Sequence, residues 1–335
     1  MNTKGEGRRR ALITGITGQD GSYLAELLLA EGFDVHGIVR RASFEDPRCF
    51  WRIMDIQSRI TLHVGGMDSF PSIYSVLQKV RPDYCFHLAA QSFVSYSFEE
   101  EFATMGSNVN GTHYLLSAIV QICPECHLYF AGSSEMFGSA KQSPQNEESS
   151  FRPRSVYGIS KLVGYELIRN YRESGKLHAC AGILYNHESP RRGVEFVTRK
   201  ITSTAARIKL GLAKELRLGN VDAVRDWGFA GDYVRAIYAM SKLSTPEDFV
   251  IGTGEKHSVR EFLAIAFGAL DLDYQRYLVI DEKFYRPTEE FPLVADANKA
   301  RTKLDWRPSV GLEELVLMMV RADYDRLVSE RIDRS

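Results

Sequence analysis

Tyr157-Gly-Ile-Ser-Lys161 sets a phenol and an amine one helical turn apart. A free phenol, with a pKa near ~10, is a poor base at neutral pH. A neighbouring ammonium favours its ionised form, so the pair reads as a general base and the group that tunes it. The same spacing on a solvated helix face would do no chemistry, and the surroundings decide between the two. Upstream, Gly132-Ser133-Ser134-Glu135-Met136-Phe137-Gly138 puts a hydroxyl and a carboxylate at the end of a β-rich run. A serine at a strand end beside a Tyr–Lys pair argues for proton transfer rather than surface.

Gly15-Ile-Thr17-Gly18-Gln19-Asp20-Gly21 follows the first β-rich run and opens a helical pattern. Residues without Cβ let backbone approach a pyrophosphate, and the helix N-terminus offers unpaired N–H groups and a positive dipole end. NAD enzymes tend to carry Asp or Glu at the end of the second strand, about 20 residues on. Here that strand ends Val39-Arg40-Arg41-Ala42-Ser43. A carboxylate would repel a 2′-phosphate, whereas a guanidinium grips it through charge-assisted hydrogen bonds. NADP is therefore expected over NAD. The positive nicotinamide would add to Lys161 in favouring the phenolate of Tyr157, and Lys161 can hydrogen-bond the nicotinamide ribose.

Short β-rich runs alternating with helical patterns must position these groups. Strands are expected at Arg10–Thr14, Asp34–Val39, Ile60–Val64, Tyr84–Ala89, Leu128–Ser133 and Ala179–Tyr185. Helical periodicity falls at Tyr23–Ala30, Ile73–Val80, Gly111–Ile122 and Tyr157–Ser174. Alternation of this kind predicts an α/β fold: a Rossmann-type parallel sheet with a smaller mixed α/β substrate lobe. Residues 1–185, with 227–250 returning, are assigned to the sheet domain, and 186–226 and 251–335 mainly to the second lobe. Ser258-Val-Arg-Glu261 reads as a capping box. With 44% hydrophobic and 25% charged residues the 335-residue chain is an ordinary globular one. Lys+Arg 42 against Asp+Glu 43 leaves a formal charge of −1, so no global field draws nucleic acid or anionic lipid. No apolar run suits a membrane span or a secretory signal, which points to the cytoplasm. The five cysteines form no disulfide framework, and Cys123-Pro-Glu-Cys126 follows an apolar helical run as a helix exit, without a second pair to make a zinc site. No metal is expected.

Several longer segments carry a resemblance: TGITGQDGSYLAELLL, VHGIVRR, HLAAQSFV, GSSEMFG, FRPRSVYGISK, GILYNHESPRRGVEFVTRK, LGNVDAVRDWG and FYRPTE. The glycine loop, serine and YxxxK resemble the extended short-chain dehydrogenase/reductases. Together the segments resemble the GDP-mannose 4,6-dehydratase family almost from end to end, NHESPRRG followed by FVTRK most specifically. The resemblance implies that Tyr157 takes the proton of the sugar C4 hydroxyl and that Ser133, where the family usually has Thr, hydrogen-bonds that hydroxyl. Glu135 would remove the C5 proton and help expel the C6 hydroxyl. It further implies cofactor contacts from Gly15 through Asp20 and Gly21, from Arg40, Arg41 and Ser43, and from Leu88, Ala89, Ala90, Gln91 and Ser92. Lys161, His187 and Arg192 would complete them. Asn186, Val197, Lys200, Gly219, Arg225, Arg286 and Glu289 would line the nucleotide-sugar site, with Ser92, Ser133 and Glu135. A homodimer or homotetramer is implied. Trp227 beside Asp226 reads as packing, and His87 as a satisfied core residue.

The chain also departs from the family. Gly65-Gly66-Met67-Asp68 stands where the family has Gly-Asp, leaving Asp68 as the candidate adenine contact. Arg286-Pro-Thr-Glu289-Glu290-Phe291 differs at the ribose rim, and ASFEDPRCF after Arg41 replaces a serine-rich stretch that reaches a neighbouring subunit in relatives. Another GDP-sugar such as a GDP-heptose, a 4-keto-sugar reductase, a nucleotide-sugar decarboxylase and a catalytically silent NADP-binding regulator are the competing readings. Retention of Ser133, Glu135, Tyr157 and Lys161 together argues against the last.

Overall fold

The computed structural model describes residues 8–94, 96–284 and 292–332. Strands β1 (Arg10–Thr14), β2 (Asp34–Val39), β3 (Thr61–Val64), β4 (Tyr84–His87), β5 (His127–Ser133) and β6 (Ala179–Leu184) lie within two residues of their expected bounds. Helices α1 (Gln19–Ala30), α2 (Arg41–Glu45), α3 (Phe70–Val80), α4 (Tyr96–Glu99), α5 (Glu101–Met105), α6 (Gly111–Ile122) and α7 (Val156–Glu173) connect them. Every residue of β6 and the last four of β1 are buried, the apolar content that a parallel sheet covered on both faces demands.

The second half contributes β7 (Asn186–Glu188), α8 (Val197–Lys209), β8 (Leu216–Leu218), β9 (Val224–Arg225), β10 (Trp227–Phe229), α9 (Ala230–Ser241) and β11 (Phe249–Ile251). It continues through β12 (His257–Ser258), α10 (Val259–Gly268), β13 (Leu278–Ile280), α11 (Asn298–Lys303) and α12 (Leu312–Ile332). The main sheet is seven-stranded and parallel, in the order β11-β6-β5-β4-β1-β2-β3. This is the Rossmann-type doubly wound arrangement, whose strand order reverses between β1 and β4.

One face of the sheet packs Leu24 and Leu28 of α1 against Val234 and Ile237 of α9, with Trp306 beneath them. The other packs Ile73 and Leu77 of α3, Leu116 of α6 and Ile168 of α7, and takes in Leu293 and Ala295 from the chain's far end. A third core joins Ile201 of α8, Phe262 and Phe267 of α10 and Leu315 and Met319 of α12. Ser258 caps α10: its hydroxyl accepts from Glu261 N at 3.1 Å, and the Glu261 carboxylate accepts from Ser258 N at 2.6 Å. Cys123 is the C-cap of α6, so the CxxC lies at a helix exit.

Gly15 turns the chain out of β1 with φ +77°, and a Cβ there would meet Ala89 N at 2.9 Å. The left-handed backbone and the contact with the β4 loop both select glycine. Gly15→Ala should therefore cost more than about 1 kcal/mol, read as a lower urea midpoint at unchanged slope. An unchanged midpoint would show that this turn relaxes freely.

Candidate active site

The C-terminal ends of the parallel strands and the second lobe together enclose a cavity of about 1570 Å³. Ser133 closes β5, and its hydroxyl accepts from Glu135 N at 3.2 Å and hydrogen-bonds the Tyr157 phenol. Glu135 sits in the single turn that follows the strand. Tyr157 stands in the first turn of α7, which Ser155 caps by accepting from Gly158 N at 3.0 Å. A Cβ on Gly158 would meet Glu135 O at 2.6 Å, so the missing side chain lets α7 close on the turn carrying Glu135. Lys161 is buried one turn on; its Nζ donates to Ala131 O at 2.8 Å and lies 5.9 Å from the Tyr157 ring centre. The structure thus brings Ser133, Glu135, Tyr157 and Lys161 together on the cavity wall.

The glycine loop lines the same cavity, from Gly15 and Thr17 through Gly18, Gln19, Asp20 and Gly21. Gly18 is the N-cap of α1 and supplies no side-chain cap. The first-turn N–H groups are therefore left for a ligand, as phosphate binding at a helix N-terminus requires. Arg40 and Ser43 line the cavity as well, as do Asp68 and the run Leu88, Ala89, Ala90, Gln91 and Ser92. Arg41 differs from expectation: it is exposed and outside the lining. The α2 turn puts residues three apart on one face, so Arg40 and Ser43 share a side and Arg41 points elsewhere.

His187 donates from Nδ1 to Tyr185 O at 2.7 Å, and its Nε2 meets Asp20 at 2.8 Å. Burial opposes charge on both partners. Their mutual attraction nonetheless holds His187 above and Asp20 below the ordinary range. Arg192 stacks its guanidinium 3.5 Å from the centre of the Phe196 ring and ion-pairs through Nε with Glu188 at 3.1 Å. Asn186, Val197, Lys200, Gly219 and Arg225 complete the second lobe's share of the lining. Lys200 lies 3.8 Å from the Phe284 ring centre, and burial lowers its pKa. Arg286 and Glu289 lie outside the described residues.

A sequence profile for GDP-mannose 4,6 dehydratase matches residues 12–319. The chain belongs to the GDP-mannose 4,6-dehydratase family. GDP-mannose 4,6 dehydratase 1 of Arabidopsis thaliana is 46% identical over 334 residues, covering 97% of this chain and 92% of the relative. The Homo sapiens relative is 42% identical, covering 96% and 93%. The solved UDP-glucose 4-epimerase of Thermotoga maritima superposes with TM-score 0.82 at 23% identity, covering 96% of this chain and 99% of that one. A dTDP-glucose 4,6-dehydratase of Bacillus anthracis, in complex with NAD, gives 0.80 at 20% identity, covering 95% and 97%.

Some residues that shape this family site escaped the sequence reading. Asn108 accepts from Gln91 N at 2.9 Å and donates to Gln91 O at 3.2 Å and Ser160 Oγ at 3.0 Å, tying the β4 loop to α7. It lies outside the helical run expected at Gly111–Ile122, and the sequence carried no signal for it. Asp226, beside Arg225, accepts from Thr253 N, Gly254 N and Ala295 N at 3.0 Å each, and burial raises its pKa. His87 is satisfied as expected, bonded to Thr14 at 2.8 Å and Thr112 at 3.0 Å. Burial and the nearby Lys161 push its pKa down to about 3.

Charge counting alone favoured an ionised Tyr157, but desolvation works the other way. Burial pushes the phenol up to about 12, against the pull of Ser133 and Arg192, and pushes Lys161 down to about 8. The phenol should therefore be neutral in the protein alone at pH 7 and ionise above the ordinary value of 10.0. An ultraviolet difference titration of the native protein against Tyr157→Phe measures this directly. A phenolate forming near neutral pH without cofactor would show that burial does not govern its ionisation.

Proposed function

We propose that the protein is an NADP-dependent GDP-mannose 4,6-dehydratase that converts GDP-mannose to GDP-4-keto-6-deoxymannose. The observation carrying this reading is the placement of Glu135 next to Ser133 and Tyr157, because a plain dehydrogenase needs no carboxylate base beside the phenol. The glycine turn, the uncapped N-terminus of α1 and the Arg40 guanidinium fit a dinucleotide with a 2′-phosphate. When bound, NADP supplies hydride exchange, removing hydride from C4 and returning it to C6, with no net oxidation.

Tyr157, ionised by the added positive charge of the nicotinamide, takes the C4 hydroxyl proton while Ser133 hydrogen-bonds that oxygen. The resulting C4 ketone acidifies the C5 proton, which a carboxylate can then remove. Glu135 takes that proton as the C6–O bond breaks, and passes a proton to the departing hydroxide, which leaves as water. Tyr157, now carrying the C4 proton, and Lys161 hold the ketone oxygen while solvent supplies a proton to C5, and Tyr157 returns its own proton to solvent as product leaves. Lys200 and Arg225 supply cations for the diphosphate, and Asn186 and Gly219 offer polar contacts to the sugar and base. Asp68 serves the adenine, and His187 with Arg192 borders the nicotinamide end.

We infer a cytoplasmic homo-oligomer. Among the described residues no helix is long and apolar enough to cross a membrane. Exposed Tyr96, Phe98, Phe102 and Ile159 on the packed helices α4, α5 and α7 provide a contact face. Phe102→Glu should then shift the protein toward monomer in equilibrium sedimentation.

Incubation with GDP-mannose, without added reductant, should yield a product lighter by one water. Other GDP-sugars in the same panel should react more slowly. Tyr157→Phe should lower turnover about 100- to 10,000-fold with substrate still bound. Glu135→Gln should stall differently: absorbance of reduced nicotinamide builds up, while water loss and exchange of the C5 hydrogen with solvent deuterium fail. A Gln variant that exchanges and turns over at the native rate would remove Glu135 from the role of base. Calorimetry of Arg40→Asp should show the preference for NADP over NAD narrowed or reversed.

A further inference from the structure

Arg52 lines the main cavity, yet neither the catalytic set nor the expected cofactor contacts include it. Its neighbours Phe50 and Ile53 are buried in the core beneath β1 and α1, which fixes the backbone on either side. The Arg52 Nε donates to Arg191 O at 2.7 Å and Nη1 points to Thr17 O at 3.4 Å. Its guanidinium lies 4.5 Å from the Trp51 ring centre, and Arg326 of α12 lies 4.9 Å from the same ring. The side chain therefore bridges the glycine loop and the turn after β7.

The other cations around it have carboxylate partners. Arg191 pairs with Glu26 at 2.6 Å, and Arg199 and Arg326 pair with Asp323 at 2.6 and 3.3 Å. Among the described residues no carboxylate ion-pairs with Arg52, although Glu195 is near enough to favour its charge. Burial and the surrounding arginines bring its pKa down to about 10. A half-buried guanidinium with two of its five donors spent on carbonyls still has donors and a charge to satisfy. The adjoining glycine loop presents N–H groups suited to phosphate.

We propose that Arg52 is a phosphate ligand for the bound dinucleotide, closing over the glycine loop with a charge-assisted contact. The proposal rests on the reading of the cavity as a nicotinamide-dinucleotide site. Calorimetric titration of native protein, Arg52→Met and Arg52→Lys with NADP and with NAD tests it, with thermal midpoints measured alongside. Arg52→Met should weaken binding about tenfold or more. Arg52→Lys, which keeps the charge but loses the planar fork, should retain part of the affinity and reads the same contact if the Met variant does not fold. An equal loss for both cofactors supports contact with the pyrophosphate, and a loss for NADP alone supports contact with the 2′-phosphate. Native affinity for both cofactors in either variant overturns the proposal. Absence of binding by the native protein overturns the reading of the cavity itself, and the proposal with it.

Discussion

A carboxylate and an imidazole 167 positions apart in the chain meet at 2.8 Å, and the geometry of the cavity follows from that meeting. The Tyr185 carbonyl and an ionised Asp20 can only accept, so a proton on each ring nitrogen satisfies both and His187 becomes a buried imidazolium. Gln19 adds a second tie, donating to His187 O at 3.0 Å while accepting from Ser189 Oγ at 2.8 Å. These bonds fasten the loop out of β1 to the strand after β6. Removing one partner would leave a buried charge uncompensated, which is costlier than either hydrogen bond alone. The glycine turn after β1 and the strand after β6 are therefore tied at a fixed spacing.

Within that frame burial works against charge on both groups of the Tyr–Lys pair. Lys161 spends a donor on Ala131 O, and its charge is resisted by desolvation. Tyr157 is resisted in the same way, with the Glu135 charge adding to the effect. If a nicotinamide dinucleotide binds as proposed, its positive charge would offset this resistance, and generation of the base would be coupled to cofactor binding.

The sheet was legible because its strands are long enough to bury continuous apolar runs and its helices long enough to show a period. YxxxK and the glycine loop were legible because their chemistry is local. The pairs β7 with β10 and β9 with β12 were not, since strands of two or three residues carry no periodicity. Nor were the hubs Asn108 and Asp226, whose importance lies in what folding brings to them. Arg41 shows the opposite failure. In sequence it is equivalent to Arg40, and only the turn into α2 separates an arginine on the cavity lining from one off it.

Residues 186–200 show why a short motif can specify a family. Asn186 lines the cavity and His187 holds Asp20. Glu188 is buried between Arg192 and the Thr198 hydroxyl, which donates to it. Ser189 holds Gln19, and the carbonyls of Pro190 and Arg192 accept from Arg199 at 2.7 and 2.8 Å. Arg199 is itself neutralised by Asp323 of α12 at 2.6 Å. Most of these positions face a polar partner, so a substitution at one leaves a buried donor, acceptor or charge unmatched elsewhere. The glycine loop's helix and the C-terminal helix both converge on this one segment. Its side chains are constrained from several directions at once.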